Sequence, residues 1–260
     1  MSLNAVNHRR VLHRMPELDD ELPDTTAYVR KVLEPLGAEV FSPIKGSVCA
    51  YFDAGAEETV ALRADMDALP VTECTGLFFA SERPGRMHAC GHDCHISMLL
   101  TAAMIVNEIR DRLKGTIVFA FQPAEELGLG ARAMIEEGAL EGVDACFGMH
   151  VWSDYPAGTV ALRKGPMMAS GDQFKIHVRG KSTHGAQPQL GADALIMGAA
   201  IAQNLQTIVS RETYPGDTAV VTVGKFHSGT RFNVVAGTAE LEGTTRTFSP
   251  AVRDRFEKQI

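Results

Sequence analysis

Residues that can bind metal ions follow each of three apolar segments of the chain. They are Asp65 and Asp67 after residues 59–62, Glu125 and Glu126 after residues 116–121, and His150 near the end of residues 145–151. Between the first two segments, Cys90 and His92 lie directly before a predicted helix. Because functional groups gather beyond the carboxyl ends of strands in an open parallel sheet, we expect these side chains to converge. Carboxylate, thiolate and imidazole groups together predict a site for divalent metal ions.

This set of groups suits the hydrolysis of an amide bond, which needs a nucleophile stronger than neutral water. A bound divalent ion lowers the pKa of its water to about 7, and a second ion about 3.5–4 Å away shares the resulting hydroxide. A carboxylate must then accept the water proton. Glu125 and Glu126 are adjacent on an extended segment, so their side chains point in different directions. One can therefore bind metal while the other faces the water.

Predicted strands and helices alternate over the first part of the chain, which favours an α/β fold. Apolar residues recur at helical spacing over 94–113, and residues 116–121 and 145–151 are predicted to form buried strands. Further helices are predicted at 8–15, 24–36 and 130–138, and a further strand at 59–62. We therefore predict a mixed, mostly parallel sheet flanked by helices.

The character of the chain changes near residue 167. The elements that follow are predicted in the order strand, helix, strand, strand and helix, at 173–178, 191–213, 219–223, 238–245 and 251–260. This order is typical of an α+β domain. We place a domain boundary at about residue 167, which gives domains of residues 1–167 and 168–260.

The composition is that of a soluble globular protein, and it disfavours several classes of partner. Hydrophobic residues make up 45% of the 260, and the net charge is −7 without a lysine- or arginine-rich stripe, so we expect no nucleic-acid partner. No apolar run reaches the ~18 residues of a membrane span, and the first residues lack the apolar core of a signal peptide. Five scattered cysteines do not form a disulfide framework, which favours the cytoplasm.

Four short segments carry the groups with metal-binding potential. They are residues 61–70 (ALRADMDALP), 90–95 (CGHDCH), 121–126 (FQPAEE) and 148–150 (GMH). In this order they resemble the M20 family of metallopeptidases, in the branch of hippurate hydrolases, indole-acetyl-amino-acid hydrolases and N-acyl-L-amino acid amidohydrolases. The resemblance implies a zinc-peptidase-like catalytic domain with an inserted lid and dimerisation domain, here residues 168–260. It also implies a homodimer and two divalent ions (zinc, manganese, cobalt or nickel).

The resemblance also assigns roles to individual side chains. The implied metal ligands are Cys90, His92, Glu126 and His150. Glu125 is the implied general base, which takes a proton from the water and hands it to the leaving amine.

The chain departs from the family pattern in two respects. Asp65-Met66-Asp67 stands where other branches carry His-x-Asp, and we interpret the two aspartates as groups that orient the metal ligands, with Asp67 as part of the catalytic set. The family also has one further metal-binding histidine, which we expect beyond Ile260, in a longer chain.

Two segments of the second region resemble lid segments that face the active site. Residues 181–188 contain His184, which the resemblance places near the scissile carbonyl, in some members that of the neighbouring subunit. A hydrogen-bond donor to the developing oxyanion is the role open to it. Residues 231–235 contain Arg231 and Asn233, which we predict to bind the substrate.

The predicted activity is metal-dependent hydrolysis of the amide bond of small N-acyl amino acids, such as hippurate-like or N-acetyl conjugates. One alternative is a catalytically inactive, metal-binding protein of the same fold. Another is a metal-independent cysteine hydrolase that uses Cys90 with His92, although residues two apart are poorly placed to pair. Residues 128–133 fit a dinucleotide-binding fingerprint, but two glutamates precede them and the glycines come well after the strand end, which disfavours nucleotide binding.

Overall fold

The computed structural model describes residues 2–53, 55 and 58–260, and the chain divides into two compact units between Ala157 and Gly158. We call residues 1–157 the N-terminal unit and residues 158–260 the C-terminal unit. The boundary predicted at about residue 167 lies inside the second of these. The assignment of a catalytic domain and a lid domain on either side of it remains a prediction.

The N-terminal unit is built on a five-stranded mixed sheet with the strand order β1-β2-β4-β3-β5. The strands are β1 (Glu39–Phe41), β2 (Val48–Phe52), β3 (Thr59–Asp65), β4 (Thr116–Gln122) and β5 (Ala145–Gly148). β3 runs parallel to both β4 and β5, whereas β2 is antiparallel to both of its neighbours. The predicted mixed α/β sheet is therefore confirmed, and the carboxyl ends of β3, β4 and β5 lie at one edge.

Helices cover both faces of this sheet. They are α1 (Ser2–Arg14), α2 (Pro23–Leu33), α3 (His92–Glu108) and α4 (Gly130–Glu136). On one face, the first three pack around Phe52, Phe119 and Phe121, which are fully buried. On the other face, Met134 of α4 packs against Ala120. Successive residues of β4 therefore pack on opposite faces of the sheet, Phe119 and Phe121 on one face and Ala120 on the other.

The strand after α4 differs from its prediction as a buried strand. β5 ends at Gly148, and most of it is exposed, with 60% of the Phe147 surface accessible. The reason is its position at the edge of the sheet, where it pairs with β3 only, among the residues that the structure describes. β1 and β2 were not predicted, since each is short and bounded by irregular chain.

The C-terminal unit is a three-stranded antiparallel sheet in the order β6-β8-β7, with helices on one face. Its elements are β6 (Ser170–Arg179), α5 (Ala194–Thr207), β7 (Ala219–Ser228), β8 (Thr238–Thr247) and α6 (Pro250–Gln259). The carboxylate of Asp193 accepts the backbone N–H groups of Leu195 and Ile196, which caps α5 at its start. Among the described residues, no helix is long and apolar enough to cross a membrane.

Candidate metal centre

The four predicted metal ligands come together at the carboxyl edge of the N-terminal sheet. Cys90 Sγ lies 3.3 Å from His150 Nε2, and ligand atoms of Cys90, His92 and His150 lie within 4.8 Å of one another. A second group within the same limit joins His92 to Glu125 and Glu126. His92 belongs to both groups, so its imidazole lies at the middle of the cluster.

The surroundings of His92 give the strongest indication of a cation site. It is fully buried at the start of α3, and neither ring nitrogen makes a hydrogen bond to any residue in the described part of the chain. Instead, its Nε2 lies 3.6 Å from Asp65 and 3.8 Å from both Glu125 and Glu126. Burial lowers the pKa of this histidine, but the carboxylates around it raise the pKa overall. A buried imidazole among unneutralised carboxylates fits a site for divalent cations.

Cys90 also suits metal binding better than nucleophilic catalysis. Burial raises the pKa of its thiol to about 12, and the nearby carboxylates of Glu126 and Glu125 add to the effect. A catalytic cysteine needs the opposite, a pKa lowered by positive charge. A divalent cation between these groups would reverse the effect and deprotonate the thiol.

Gly91 separates two of the predicted ligands and has a backbone conformation that favours glycine. Its φ is +92°, and a Cβ atom at this position would lie 2.4 Å from Val151 Cγ2. The chain can therefore turn sharply between Cys90 and His92 while it packs closely against the segment that carries His150.

Asp67 holds the segment that carries the two glutamates. Its two carboxylate oxygens accept the backbone N–H groups of Glu125 and Glu126, each at 3.0 Å. Ala124, the residue before Glu125, has a φ of +50°, which is uncommon for a residue other than glycine. The chain turns between Pro123 and Gly130, and position 130 requires glycine because a Cβ atom there would lie 1.7 Å from the carbonyl oxygen of Pro123.

Asp65 and His95 connect the cluster to the segment that carries His150 by hydrogen bonds. His95 Nδ1 donates to Asp65 at 2.5 Å, and His95 Nε2 accepts the backbone N–H of Val151 at 2.9 Å. Both ring nitrogens of His95 are thus used, although the residue lies close enough to His92 and Asp65 to count as a possible ligand. The next histidine, His150, donates from Nδ1 to the Val151 carbonyl at 2.6 Å, which leaves its Nε2 free for metal.

A buried network next to the cluster was not predicted. Asp93, which follows His92, accepts a hydrogen bond from His13 Nδ1 at 2.7 Å and forms an ion pair with Arg9, whose Nε lies 2.8 Å away. His13 Nε2 in turn lies 3.2 Å from the carboxylate of Glu73. These residues come from three distant parts of the chain, and nothing in their local pattern connects them.

In the C-terminal unit, the two predicted lid segments lie side by side. His184 forms a β-bridge with Val234, and the backbone N–H of Gly185 donates to the Asn233 carbonyl at 2.8 Å. His184 Nδ1 accepts the N–H of Ala186 at 3.1 Å, so the proton of the neutral imidazole lies on Nε2. Arg231 belongs to the same turn, because its carbonyl accepts the N–H of Val234. The roles of His184, Arg231 and Asn233 remain predictions.

Comparison with known proteins identifies the family of the chain. Residues 61–256 match the sequence profile of the peptidase family M20/M25/M40. N-acetyl-L-cysteine deacetylase from Bacillus subtilis (strain 168) is 46% identical over 255 residues, which cover 97% of this chain and 61% of that protein. N-acyl-L-amino acid amidohydrolase from Geobacillus stearothermophilus is 44% identical over 253 residues, which cover 96% of this chain and 68% of that protein.

The comparison of folds agrees with the comparison of sequences. A crystal structure of a dinuclear metal-binding peptidase of the M20 family from Bacillus subtilis superposes with a TM-score of 0.82 at 39% identity. The match covers 99% of this chain and 67% of that chain. The chain thus spans 61% to 68% of the length of these relatives. Since the matched profile covers most of its residues, the chain belongs to the peptidase family M20/M25/M40.

Proposed function

We propose that the protein hydrolyses the amide bond of N-acyl amino acids in a metal-dependent reaction. The observation that carries this proposal is the buried His92, whose two ring nitrogens face carboxylates without a hydrogen bond in the described structure. The names of two relatives support the substrate class, since one is a deacetylase of N-acetyl-L-cysteine and the other acts on N-acyl-L-amino acids. Hippurate-like conjugates belong to the same chemical class.

We assign the metal site to Cys90, His92, Glu126 and His150, which would hold two ions of zinc, manganese, cobalt or nickel. Mixed sulfur, nitrogen and oxygen ligands suit these borderline ions. When bound, such ions lower the pKa of a bound water and polarise the carbonyl of the substrate. Three other residues position these ligands. Gly91 allows the close packing between Cys90 and His92, Asp67 accepts the backbone N–H of Glu126, and His95 accepts that of Val151, next to His150.

Glu125 is the proposed general base. Burial raises the pKa of this carboxyl group above its ordinary value, and the negative charges of Asp65 and Glu126 raise it further. A carboxylate with a raised pKa accepts a proton from water and later releases it to the leaving amine more readily than an ordinary one. Asp67 accepts the backbone N–H of Glu125, whose carboxylate lies 3.8 Å from His92 Nε2.

In the C-terminal unit, His184 is the proposed donor to the oxyanion of the transition state. Its Nε2 carries the proton because Nδ1 accepts from the backbone. Arg231 and Asn233 are proposed to bind the substrate from the adjacent turn. In this proposal residues 1–167 form the catalytic domain, and residues 168–260 form a lid that also joins two chains into a homodimer. The five cysteines are free in the described structure, which supports a cytoplasmic location.

The metal-independent cysteine hydrolase is the less favoured alternative. Its nucleophile would need a thiolate near neutral pH, whereas the pKa of Cys90 is raised to about 12. The inactive metal-binding alternative has the same ligands, so only turnover distinguishes it from the proposed hydrolase.

The test combines metal content and turnover for the unchanged chain, Cys90→Ala and Glu125→Gln. Elemental analysis after gel filtration, which retains tightly bound ions only, should give close to two ions per chain, fewer in Cys90→Ala and an unchanged number in Glu125→Gln. Hydrolysis of N-acetyl-L-cysteine and hippurate should depend on metal and be lost in Glu125→Gln. Metal binding without turnover in the unchanged chain would favour the inactive alternative. Turnover that survives complete removal of metal would favour the cysteine hydrolase.

A further inference from the structure

The outer face of the C-terminal sheet carries two successive rows of side chains, each with a glutamate of β8 between two basic residues. These rows are His177–Glu240–His227 and Lys175–Glu242–Lys225. The helices α5 and α6 pack on the other face, where Val221 and Leu241 are buried. The two rows are therefore not part of the hydrophobic core of this unit.

The first row places two histidines on either side of a glutamate across three neighbouring strands. His177 and His227 are both register partners of Glu240, so the three side chains project from the same face. Neighbouring strands lie about 4.8 Å apart, which places one imidazole on either side of the central carboxylate. His177 Nδ1 already lies 3.3 Å from Glu240 Oε2.

The lysines of the second row contact both glutamates, and the nearest carboxylate to Lys175 is that of Glu240. Lys175 Nζ lies 3.0 Å from Glu240 and 3.2 Å from Glu242, and Lys225 Nζ lies 2.9 Å from Glu242 but 4.0 Å from Glu240. Glu242 is thus in close contact with both lysines. A divalent ion on Glu240 would therefore have to displace the ammonium group of Lys175, for which Glu242 offers a second partner.

We propose that His177, Glu240 and His227 form a binding site for a divalent transition-metal ion such as Zn²⁺. Two imidazole nitrogens and one carboxylate oxygen are a common set of protein ligands for this ion. The three residues line a shallow cavity of about 570 Å³, which leaves space for water or a further ligand on the ion. The site lies in the C-terminal unit and shares no residue with the cluster around His92.

The experiment measures Zn²⁺ bound to the whole chain after removal of metal with a chelator. Equilibrium dialysis with elemental analysis is carried out on the Cys90→Ala/His150→Ala chain, so that the centre around His92 contributes little. We expect about one Zn²⁺ per chain to remain. Adding His177→Gln and His227→Gln should weaken its binding by about tenfold or more, because two of the three ligands are lost.

The matched control is Lys175→Gln/Lys225→Gln, which changes two residues of the same face and should keep or strengthen the binding of Zn²⁺. To guard against poor folding of the multiple variants, the otherwise unchanged chain is compared with His177→Gln/His227→Gln, which should bind one ion fewer. Equal amounts of Zn²⁺ with and without the two histidines, in either background, would overturn the proposal. So would the absence of any bound Zn²⁺ from the Cys90→Ala/His150→Ala chain that is shown to be folded.

Discussion

The Oδ2 atom of Asp93 lies 2.7 Å from Nδ1 of His13, which ties the last turn of α1 to the first turn of α3. Both residues are almost fully buried. Arg9 and Glu73 complete the network, so that two basic and two acidic groups can neutralise one another. Because Asp93 directly follows His92, this contact helps to fix the start of the helix that carries a proposed metal ligand.

The first prediction concerns the pH dependence of stability in His13→Gln. The hydrogen bond to Asp93 raises the pKa of His13 above its unfolded value of about 6.5 despite its burial. The contribution of His13 is therefore fully present below that value and is lost as the pH rises through its folded pKa. We expect His13→Gln to lower the free energy of unfolding by about 1.5–3 kcal/mol in mildly acidic solution, and by less in alkaline solution.

Urea unfolding across this pH range measures the difference. His8→Gln is the matched control on the same helix, because burial lowers the pKa of His8. The contribution of His8 is present above its unfolded pKa and is lost as the pH falls through its folded pKa, so the two variants should show opposite trends. If the difference in the free energy of unfolding between the parent and His13→Gln did not change with pH, the proposal that His13 is protonated in the folded network would be wrong.

The second prediction concerns Asp67→Asn. The amide nitrogen of asparagine cannot accept a hydrogen bond, so one of the backbone N–H groups of Glu125 and Glu126 loses its partner. We expect kcat to fall by about 10- to 100-fold, as for other groups that orient metal-site residues. Steady-state kinetics with metal analysis of the same sample measures this. Asp20→Asn, at an exposed position, is the control, and an unchanged kcat in Asp67→Asn would show that the two N–H contacts have no catalytic consequence.

The third prediction concerns Gly91→Ala. The new Cβ would clash with Val151 and would require a non-glycine residue at a φ of +92°. We expect a loss of about 2–4 kcal/mol in the free energy of unfolding, the sum of backbone strain and overpacking. Gly91→Ala/Val151→Ala should recover part of this loss by removing the clash.

The control for that variant is Gly85→Ala, which has a φ of +74° but no atom near the new Cβ. It should cost only about 1–2 kcal/mol from the backbone. Chemical denaturation of the four proteins measures these differences. Equal losses for Gly91→Ala and Gly85→Ala would mean that the contact with Val151 is unimportant.

The fourth prediction concerns protons released on metal uptake. The pKa of the Cys90 thiol is about 12, so this group is protonated in neutral solution and must lose its proton to bind a divalent ion. Calorimetric titration with Zn²⁺ in buffers of different ionisation enthalpy should therefore show about one more proton released by the parent than by Cys90→Ala. Cys74→Ala, which changes an exposed cysteine, should match the parent. The same proton release from the parent and Cys90→Ala would exclude Cys90 as a thiolate ligand.

The sequence by itself determined the type of the site and its position in the fold. The chemical identity of Cys90, His92, Glu126 and His150 does not depend on packing. Local apolar patterns place Glu126 and His150 just after β4 and β5, and Cys90 and His92 at the beginning of α3. Strands that run parallel end at one edge of a sheet, so groups beyond those ends must converge. For this reason the mixed α/β fold and the cluster of ligand types could be predicted together.

Only the tertiary structure decided which residues hold that cluster in place. Asp67 binds backbone groups 58 and 59 residues away, and Asp93 binds His13 across 80 residues. The tertiary structure also decided that β5 is an exposed edge strand and that two rows of charged side chains cover the outer face of the C-terminal sheet. Such contacts arise from the register of distant strands and from the packing of α1 against α3, whereas helical and strand periodicity report only on neighbours along the chain.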